Sequence, residues 1–210
     1  MPKPSAHAVP KNTQRYRCVF FGTTGVCELP PPRCHRRRFA RRPGFKSKTH
    51  FGQLPHAEIA GVGPVSQSGA IVRVLARKAG LEGKTDADFA LSEMLIEECK
   101  DLYADAGKAM YPKDGAEGRP AAFADFFSES GAANKHLGFL EKLIGASGRF
   151  TSAPTTGEVA VVAVISILKD LKPAAELLAP HPKLAAFYGA RAEAADKALA
   201  NLGVYFKTTA

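Results

Sequence analysis

One stretch of the sequence, residues 51–80, constrains the fold of this chain more than any other. It begins with Phe51-Gly52-Gln53-Leu54-Pro55, which predicts a turn that leads into a short strand over His56–Ala60. The glycines and the proline of Gly61-Val62-Gly63-Pro64 then predict a hairpin turn, with Pro64 suited to an edge strand because proline cannot donate to a central ladder. The stretch is therefore expected to form a hairpin that is followed by further regular structure.

The residues after this hairpin predict a helix that opens at Ser68. Its apolar residues Ile71, Val72, Leu75 and Ala79 recur at helical spacing. A helix N-terminus offers free N–H groups and a favourable dipole, so Gln67-Ser68 is a candidate site for an anion such as a carboxylate. Leu54-Pro55 is an X–Pro bond, and a cis proline there would present the backbone N–H and C=O of Leu54 to a ligand. The hairpin and helix together therefore predict a binding site.

The pattern of these two segments resembles a known family. Phe51–Pro55, followed by Gln67-Ser68 and by Ala70-Ile71-x-Arg73-x-Leu75-Ala76, is similar to the glutathione-binding segment of glutathione S-transferases. The similarity is greatest to the sigma class, which includes the glutathione-dependent prostaglandin D synthases. The alternative is an ordinary hairpin and helix with a chance Gln-Ser pair, and it is disfavoured because the rest of the chain also fits. The resemblance implies an α/β plus all-α fold, in which a thioredoxin-like N-terminal domain with an incomplete first half precedes an all-helical C-terminal domain.

Charge separates the first part of the chain from the rest. Residues 1–50 contain 12 lysines and arginines against one acid, Glu28, for a net charge of +11, whereas residues 51–210 contain 17 against 19, for −2. The basic head, residues 1–50, suggests a transit peptide. Such peptides are rich in serine, however, and only Ser5 precedes Ser47. An arm that contacts nucleic acid or an acidic partner is a second interpretation. It is the least favoured interpretation because the arginines alternate without a platform on which bases could stack, so no nucleic-acid partner is expected.

The cysteines predict neither a disulfide framework nor a metal site. Three of the four cysteines lie in the basic head, and the fourth is Cys99. Cys27 and Cys34-His35 have potential ligand atoms, but their spacing matches no common zinc pattern and a fourth ligand is missing. The composition favours a reducing compartment, and hence a cytoplasmic protein. The longest apolar run, Val159–Leu168, is about half of the ~20 residues that a membrane span needs, so no membrane association is expected.

The resemblance also implies that the first part of the chain lacks the family's catalytic tyrosine. Residues 16–22 resemble the family's first strand, which carries the catalytic tyrosine, and Phe20 stands at the tyrosine position. No catalytic residue is therefore assigned. Residues 1–42 are expected to be a basic, degenerate or poorly ordered first half of the thioredoxin-like domain. From Pro43 the similarity resumes, and residues 43–80 are expected to form the remaining glutathione-binding half.

An all-helical domain is predicted over residues 84–203. Thr85 resembles a helix cap, and the helix behind it is expected to run to about Ala109, followed by a loop over Lys113–Pro120. The remaining predicted helices are Ala121–Ile144, bent near Ser130-Gly131; Val159–Leu171, capped by Thr155 with Glu158 at its third position; Pro173–Ala179; and one from His181-Pro182 to Leu202.

The family resemblance assigns glutathione as co-substrate and supplies a set of binding residues. Gln67 and Ser68 correspond to the residues that hold the γ-glutamyl end. Leu54, which precedes Pro55, corresponds to the residue that pairs with the cysteinyl backbone. Lys46 corresponds to the residue at the glycyl carboxylate. Gln53 lies beside that end in the family. Asp101 matches an acid that reaches the ligand across the dimer interface, so a homodimer is implied. Each also has an ordinary interpretation as a surface charge or helix cap.

Two functions follow from these residues. The first is a transferase that conjugates glutathione to small hydrophobic electrophiles. The second is a non-catalytic protein that keeps the transferase scaffold, like the lens crystallins derived from this class, because phenylalanine at position 20 cannot donate a hydrogen bond to the thiol.

Overall fold

A computed structural model of the protein describes residues 49–53 and 55–200, with side chains to residue 197. The regular elements of these residues follow in chain order: β1 (His56–Ile59), β2 (Gly63–Ser66), α1 (Ser68–Ala79), α2 (Asp86–Met110), α3 (Gly115–Phe126), α4 (Ala132–Leu143), α5 (Thr156–Leu168), α6 (Ala174–Leu177), α7 (Pro182–Gly189) and α8 (Ala192–Ala200). The chain divides into two compact units, and the change from one to the other falls between Ile71 and Val72, inside α1. The predicted domain bounds at 43, 80, 84 and 203 stay predictions.

The first unit contains the predicted hairpin. β1 and β2 pair antiparallel, with His56 opposite Ser66 and Ile59 opposite Gly63. The turn closes with a bond of 2.9 Å from the Val62 N–H to the Ile59 carbonyl. Gly63 has a φ of 97°, a backbone conformation that a side chain disfavours, which explains a glycine at this position. The predicted hairpin therefore forms, but its turn lies at 60–62, because Gly63 and Pro64 belong to β2, and the first strand ends one residue earlier than expected.

The core of the second unit lies between α2 and α5. Leu95 and Leu102 of α2 and Val161, Ile165 and Leu168 of α5 are all fully buried. The two helices approach closely at Gly157, where an added Cβ would lie 2.4 Å from the Ser92 carbonyl oxygen. The Ser92 hydroxyl accepts a 2.9 Å bond from the Gly157 N–H. A glycine is therefore required where the backbones of α2 and α5 meet.

Both predicted helix caps form. The Thr85 hydroxyl accepts a bond of 3.1 Å from the Asp88 N–H, and the Thr155 hydroxyl accepts one of 3.4 Å from the Glu158 N–H. The core helix was expected over Val159–Leu171 and instead spans Thr156–Leu168. The short helix expected over Pro173–Ala179 forms as α6, four residues long.

The predicted loop over Lys113–Pro120 is wrong, because α3 begins at Gly115 and includes Pro120. Glycine and proline are weak helix formers, which motivated the loop assignment. Tertiary contacts override that preference here: Arg119 donates a bond of 3.0 Å from Nε to the carbonyl of Met110, the last residue of α2. A proline costs the helix one internal hydrogen bond, and packing against α2 supports the remainder.

The predicted helix over Ala121–Ile144 is two helices, not one bent helix. α3 ends at Phe126 and α4 starts at Ala132. At Gly131 an added Cβ would lie 2.3 Å from the Asp125 carbonyl oxygen, so the chain turns sharply back on the end of α3. The Asn134 amide holds this turn through a 2.7 Å bond to the Ser128 carbonyl. The chain therefore breaks where a bend was expected.

The last predicted helix also divides. α7 ends at Gly189, and α8 starts at Ala192. The Arg191 N–H bonds to the Tyr188 carbonyl at 2.8 Å, three residues back, which tightens the turn between the two helices. The Arg191 guanidinium lies 3.9 Å from the Phe187 ring centroid and donates a 2.8 Å bond to the Phe187 carbonyl. The expected end at Leu202 lies outside the described residues.

None of the helices in residues 55–200 has both the length and the apolar character that crossing a bilayer requires.

Candidate functional site

Gln67 joins β2 to α1 with an unusual backbone. Its φ is 75°, in the left-handed region that residues other than glycine seldom adopt. Its N–H donates a 3.3 Å bond to the Pro55 carbonyl, and its carbonyl accepts a 3.0 Å bond from the Ile71 N–H, the first of the helix. Such strained residues cluster at ligand sites, where the surrounding structure maintains them. The strained turn therefore marks this corner of the first unit as a candidate site.

The bond between Gln67 and Pro55 brings together the two sequence segments that predicted a binding site. Gln53, Pro55, Gln67 and Ser68 are all exposed. The first turn of α1 contains no acidic residue, so its free N–H groups and dipole face solvent without a competing carboxylate. This corner presents a helix N-terminus, a serine hydroxyl and an exposed backbone segment side by side, which is an arrangement suited to an anionic peptide.

The other predicted site residues are not all brought together. Phe20, Lys46 and Leu54 lie outside the described residues, as do Cys27 and Cys34-His35. Asp101 lies in the second unit, where it is exposed on α2. Its charge contributes to raising the pKa of Lys108, although the main cause is the bond from Lys108 to Asp105.

Sequence reasoning missed a pair of histidines next to the Gln67 turn. The Ser66 hydroxyl lies 3.0 Å from His56 Nδ1 and 3.4 Å from His50 Nδ1. The two imidazole centroids are 6.1 Å apart. Ser66 is buried, and the His56 side chain is 8% exposed. The hairpin register would have found half of this cluster, because it places His56 opposite Ser66; His50 precedes the hairpin and gave no signal.

Arg73, one of the residues in the sequence motif, fixes the later part of α1 within the second unit. Its Nε donates to Glu93 and its Nη2 to Glu97, both at 2.6 Å. The bonds to Glu97 and Glu93 raise the pKa of Arg73, with Glu97 the larger cause. Arg73 therefore attaches α1 to α2 rather than facing a ligand.

The second unit has an apolar groove of about 420 Å³ between α6 and α7. Its lining residues are Ala174, Ala175, Leu178, Ala179, Pro182, Ala185 and Tyr188. None of the predicted site residues is among them.

Cys99 is the cysteine that the described residues include, and its environment excludes thiolate chemistry. It is 5% exposed inside the core between α2 and its neighbours. Burial, and then the nearby charge of Glu98, raise its pKa to about 12. A nucleophilic cysteine needs the opposite environment, since the thiolate is the reactive form. Within residues 49–53 and 55–197, no cysteine therefore offers a reactive thiol to the candidate site.

The chain is similar in sequence to glutathione S-transferases and to a prostaglandin D synthase. Over 106 residues the chain is 36% identical to glutathione S-transferase 1 of Ascaris suum, a match that covers 50% of this chain and 51% of the relative. Over 68 residues it is 39% identical to the hematopoietic prostaglandin D synthase of Gallus gallus, covering 32% and 34%. The chain thus spans about half, or less, of the length of the curated relatives it matches. No family model matches it.

Solved structures extend the similarity over more of the chain. The glutathione S-transferase of Ascaris lumbricoides superposes with a TM-score of 0.63 at 26% identity, covering 79% of this chain and 80% of that one. The predicted fold class, a thioredoxin-like part followed by a helical part, is confirmed by such neighbours. The sequence relatives and the solved structures both support the glutathione S-transferase family for this chain.

Proposed function

We propose that this protein is a sigma-class glutathione S-transferase that binds glutathione and conjugates it to small hydrophobic electrophiles. The observation that carries the proposal is the Gln67 turn, which is bonded to Pro55 and opens an exposed helix N-terminus. Similarity to a prostaglandin D synthase favours the sigma class. In this proposal the protein is a cytoplasmic homodimer.

Glutathione has two carboxylates and a peptide backbone between them, and the proposed residues divide accordingly. Gln67 and Ser68 hold the γ-glutamyl carboxylate through the N-terminus of α1. Leu54 pairs with the cysteinyl backbone, and the Pro55 carbonyl, bonded to Gln67, keeps that segment alongside the helix. Gln53 and Lys46 meet the glycyl carboxylate. Asp101 contributes to the partner subunit's site in the dimer.

Ser68→Ala tests the proposed anion site. The variant loses one hydrogen bond to a charged group, which is worth about 1.5–3 kcal/mol, so the dissociation constant for glutathione is expected to rise about 10- to 150-fold. Isothermal titration calorimetry measures this change. Thr85→Ala removes another helix-terminal hydroxyl, one that caps α2, and serves as the matched control with unchanged affinity. Absence of binding to the wild type at millimolar glutathione would refute the proposed function.

A second candidate function is a non-catalytic scaffold that binds glutathione without activating it. Phenylalanine at position 20 motivates it, because a tyrosine hydroxyl there would stabilise the thiolate by about 1.5–3 kcal/mol, or one to two decades in thiolate population.

Phe20→Tyr separates the two candidates. If the scaffold is non-catalytic, the wild type binds glutathione but leaves chlorodinitrobenzene unconjugated, and Phe20→Tyr raises the conjugation rate about 10- to 100-fold at pH 6.5. If the wild type already turns over, and Phe20→Tyr does not increase the rate, another group activates the thiol and the transferase assignment holds. Phe21→Tyr, one position along, is the control for an added hydroxyl.

A further inference from the structure

The histidine pair beside the Gln67 turn has a hydrogen-bond arrangement that neutral and protonated rings can both satisfy. A serine hydroxyl has one proton to donate and two lone pairs to accept with. With both rings neutral, the Ser66 hydroxyl can donate to one Nδ1 and accept from the other Nδ1–H, or it can accept from two Nδ1–H groups. With both rings protonated, both Nδ1–H groups donate to the Ser66 oxygen. Both contacts, at 3.0 and 3.4 Å, are therefore compatible with either state.

Protonation thus changes the charge of this cluster more than its geometry. Ser66 is the residue immediately before Gln67, and the Gln67 N–H and carbonyl hold the corner between Pro55 and α1. The charged group that contacts the cluster within residues 49–53 and 55–71 is Glu58, whose Oε1 lies 3.9 Å from His56 Nε2. The Glu58 side chain is 72% exposed, so solvent screens it and it offsets only part of the added charge.

We infer that His50 and His56 are pH-sensitive positioning residues of the candidate anion site, and that their protonation strengthens the binding of glutathione. The inference rests on the proposed function. An acquired positive charge beside the turn adds to the positive end of the α1 dipole, and both attract the γ-glutamyl carboxylate. Histidine is the side chain that ordinarily changes charge in the range between pH 5 and 8. The bond between His56 and Ser66 also links β1 to β2, but a purely structural role would not make the affinity depend on pH.

The choice of pH range isolates the protein from the ligand. Between about pH 5.5 and 7.0 the carboxylates of glutathione stay ionised and its thiol and amine stay largely protonated. A change in affinity over this range therefore reports groups on the protein. Attraction between opposite charges near a protein surface predicts that the dissociation constant falls about three- to tenfold from pH 7.0 to pH 5.5.

Calorimetric titration of the full chain with glutathione at pH 7.0 and 5.5, for the wild type and for His50→Asn/His56→Asn, tests the inference. An asparagine amide occupies the place of Nδ1 and keeps a bond to Ser66 without titrating, so the double variant is expected to bind at both pH values as the wild type binds at pH 7.0. His136→Asn, which replaces a histidine between Glu98 and Asp105, is the histidine control and is expected to keep the pH response.

The outcomes separate the inference from the function beneath it. Binding that is the same at both pH values in the wild type overturns the inference and leaves glutathione binding intact. A double variant that keeps the wild-type pH response also overturns it, because the titrating group then lies elsewhere. No binding at either pH overturns the proposed function itself.

Discussion

Replacing Glu158 by alanine is expected to lower the free energy of unfolding by about 3–5 kcal/mol, because it removes a buried carboxylate that accepts hydrogen bonds from two buried N–H groups and from the partly exposed Arg149. Glu158 is 4% exposed. Its Oε1 accepts bonds from the N–H groups of Phe150 (3.1 Å) and Thr151 (3.4 Å), and its Oε2 accepts one from Arg149. Alanine leaves those two buried N–H groups without an acceptor, and each such loss is costly. Urea denaturation followed by circular dichroism measures the change.

A pair of variants separates the hydrogen bonds of Glu158 from its charge. Glu158→Gln keeps an oxygen for the Phe150 and Thr151 N–H groups but loses the charge and the acceptor for Arg149, so its destabilisation should be smaller than that of Glu158→Ala. Glu93→Gln, at a half-exposed ion pair, is the control and should cost at most about 1 kcal/mol, since Arg73 keeps Glu97 as a partner. Equal effects for Glu158→Ala and Glu93→Gln would contradict the argument.

The role of Glu158 also shows how far the sequence could predict the helical part. The Thr155-x-x-Glu158 pattern predicted a capped core helix, and the cap forms because the Thr155 hydroxyl and the Glu158 N–H are local in sequence. The carboxylate of Glu158 instead accepts hydrogen bonds from the loop at 149–151. The local pattern predicted the helix, whereas the hydrogen-bond partners of the Glu158 side chain depend on the position of the 149–151 loop.

The errors in helix bounds have the same origin. Glycine and proline in residues 113–120 predicted a loop, but the bond from Arg119 to the end of α2 stabilises a helix there. Conversely, no breaker other than Gly131 signalled the full break between α3 and α4, which arises because the chain returns onto the carbonyls of Asp125 and Phe126. Contacts between the ends of neighbouring helices decided both cases, and the local propensities of the sequence do not predict them.

The candidate site followed a similar division. The Gln67-Ser68 pair was predictable as a helix N-terminus, and its link to Pro55 was implied by the hairpin between them. The left-handed backbone of Gln67 was not predictable, since glutamine has no special preference for it. The partner of His56, Ser66, follows only from the strand register, and His50 precedes the hairpin and gave no signal. The local motif and the hairpin register therefore predict Gln67, Ser68 and the pairing of His56 with Ser66, but not the backbone of Gln67 or the position of His50.

Leu95→Ala is expected to lower the free energy of unfolding by an amount in the upper part of the range of about 2–5 kcal/mol that buried leucines show. Leu95 is fully buried between α2 and α5. The cost of such a cavity depends on whether the surroundings can collapse into it. Collapse is obstructed here, because α2 and α5 already touch through their backbones at Ser92 and Gly157. A Cβ added at Gly157 would lie 2.9 Å from the Cβ of Leu95, so this contact is next to the cavity.

The neighbouring residue provides the control for this prediction. Met94 precedes Leu95 on the same helix but is 58% exposed, so Met94→Ala removes a side chain of similar size and should change the stability by no more than about 0.5 kcal/mol. Chemical denaturation of both variants, with the slope of each transition compared, gives the difference directly. A loss below about 1 kcal/mol for Leu95→Ala would mean that α5 shifts along α2 to fill the space, and that the Gly157 contact does not fix the distance between them.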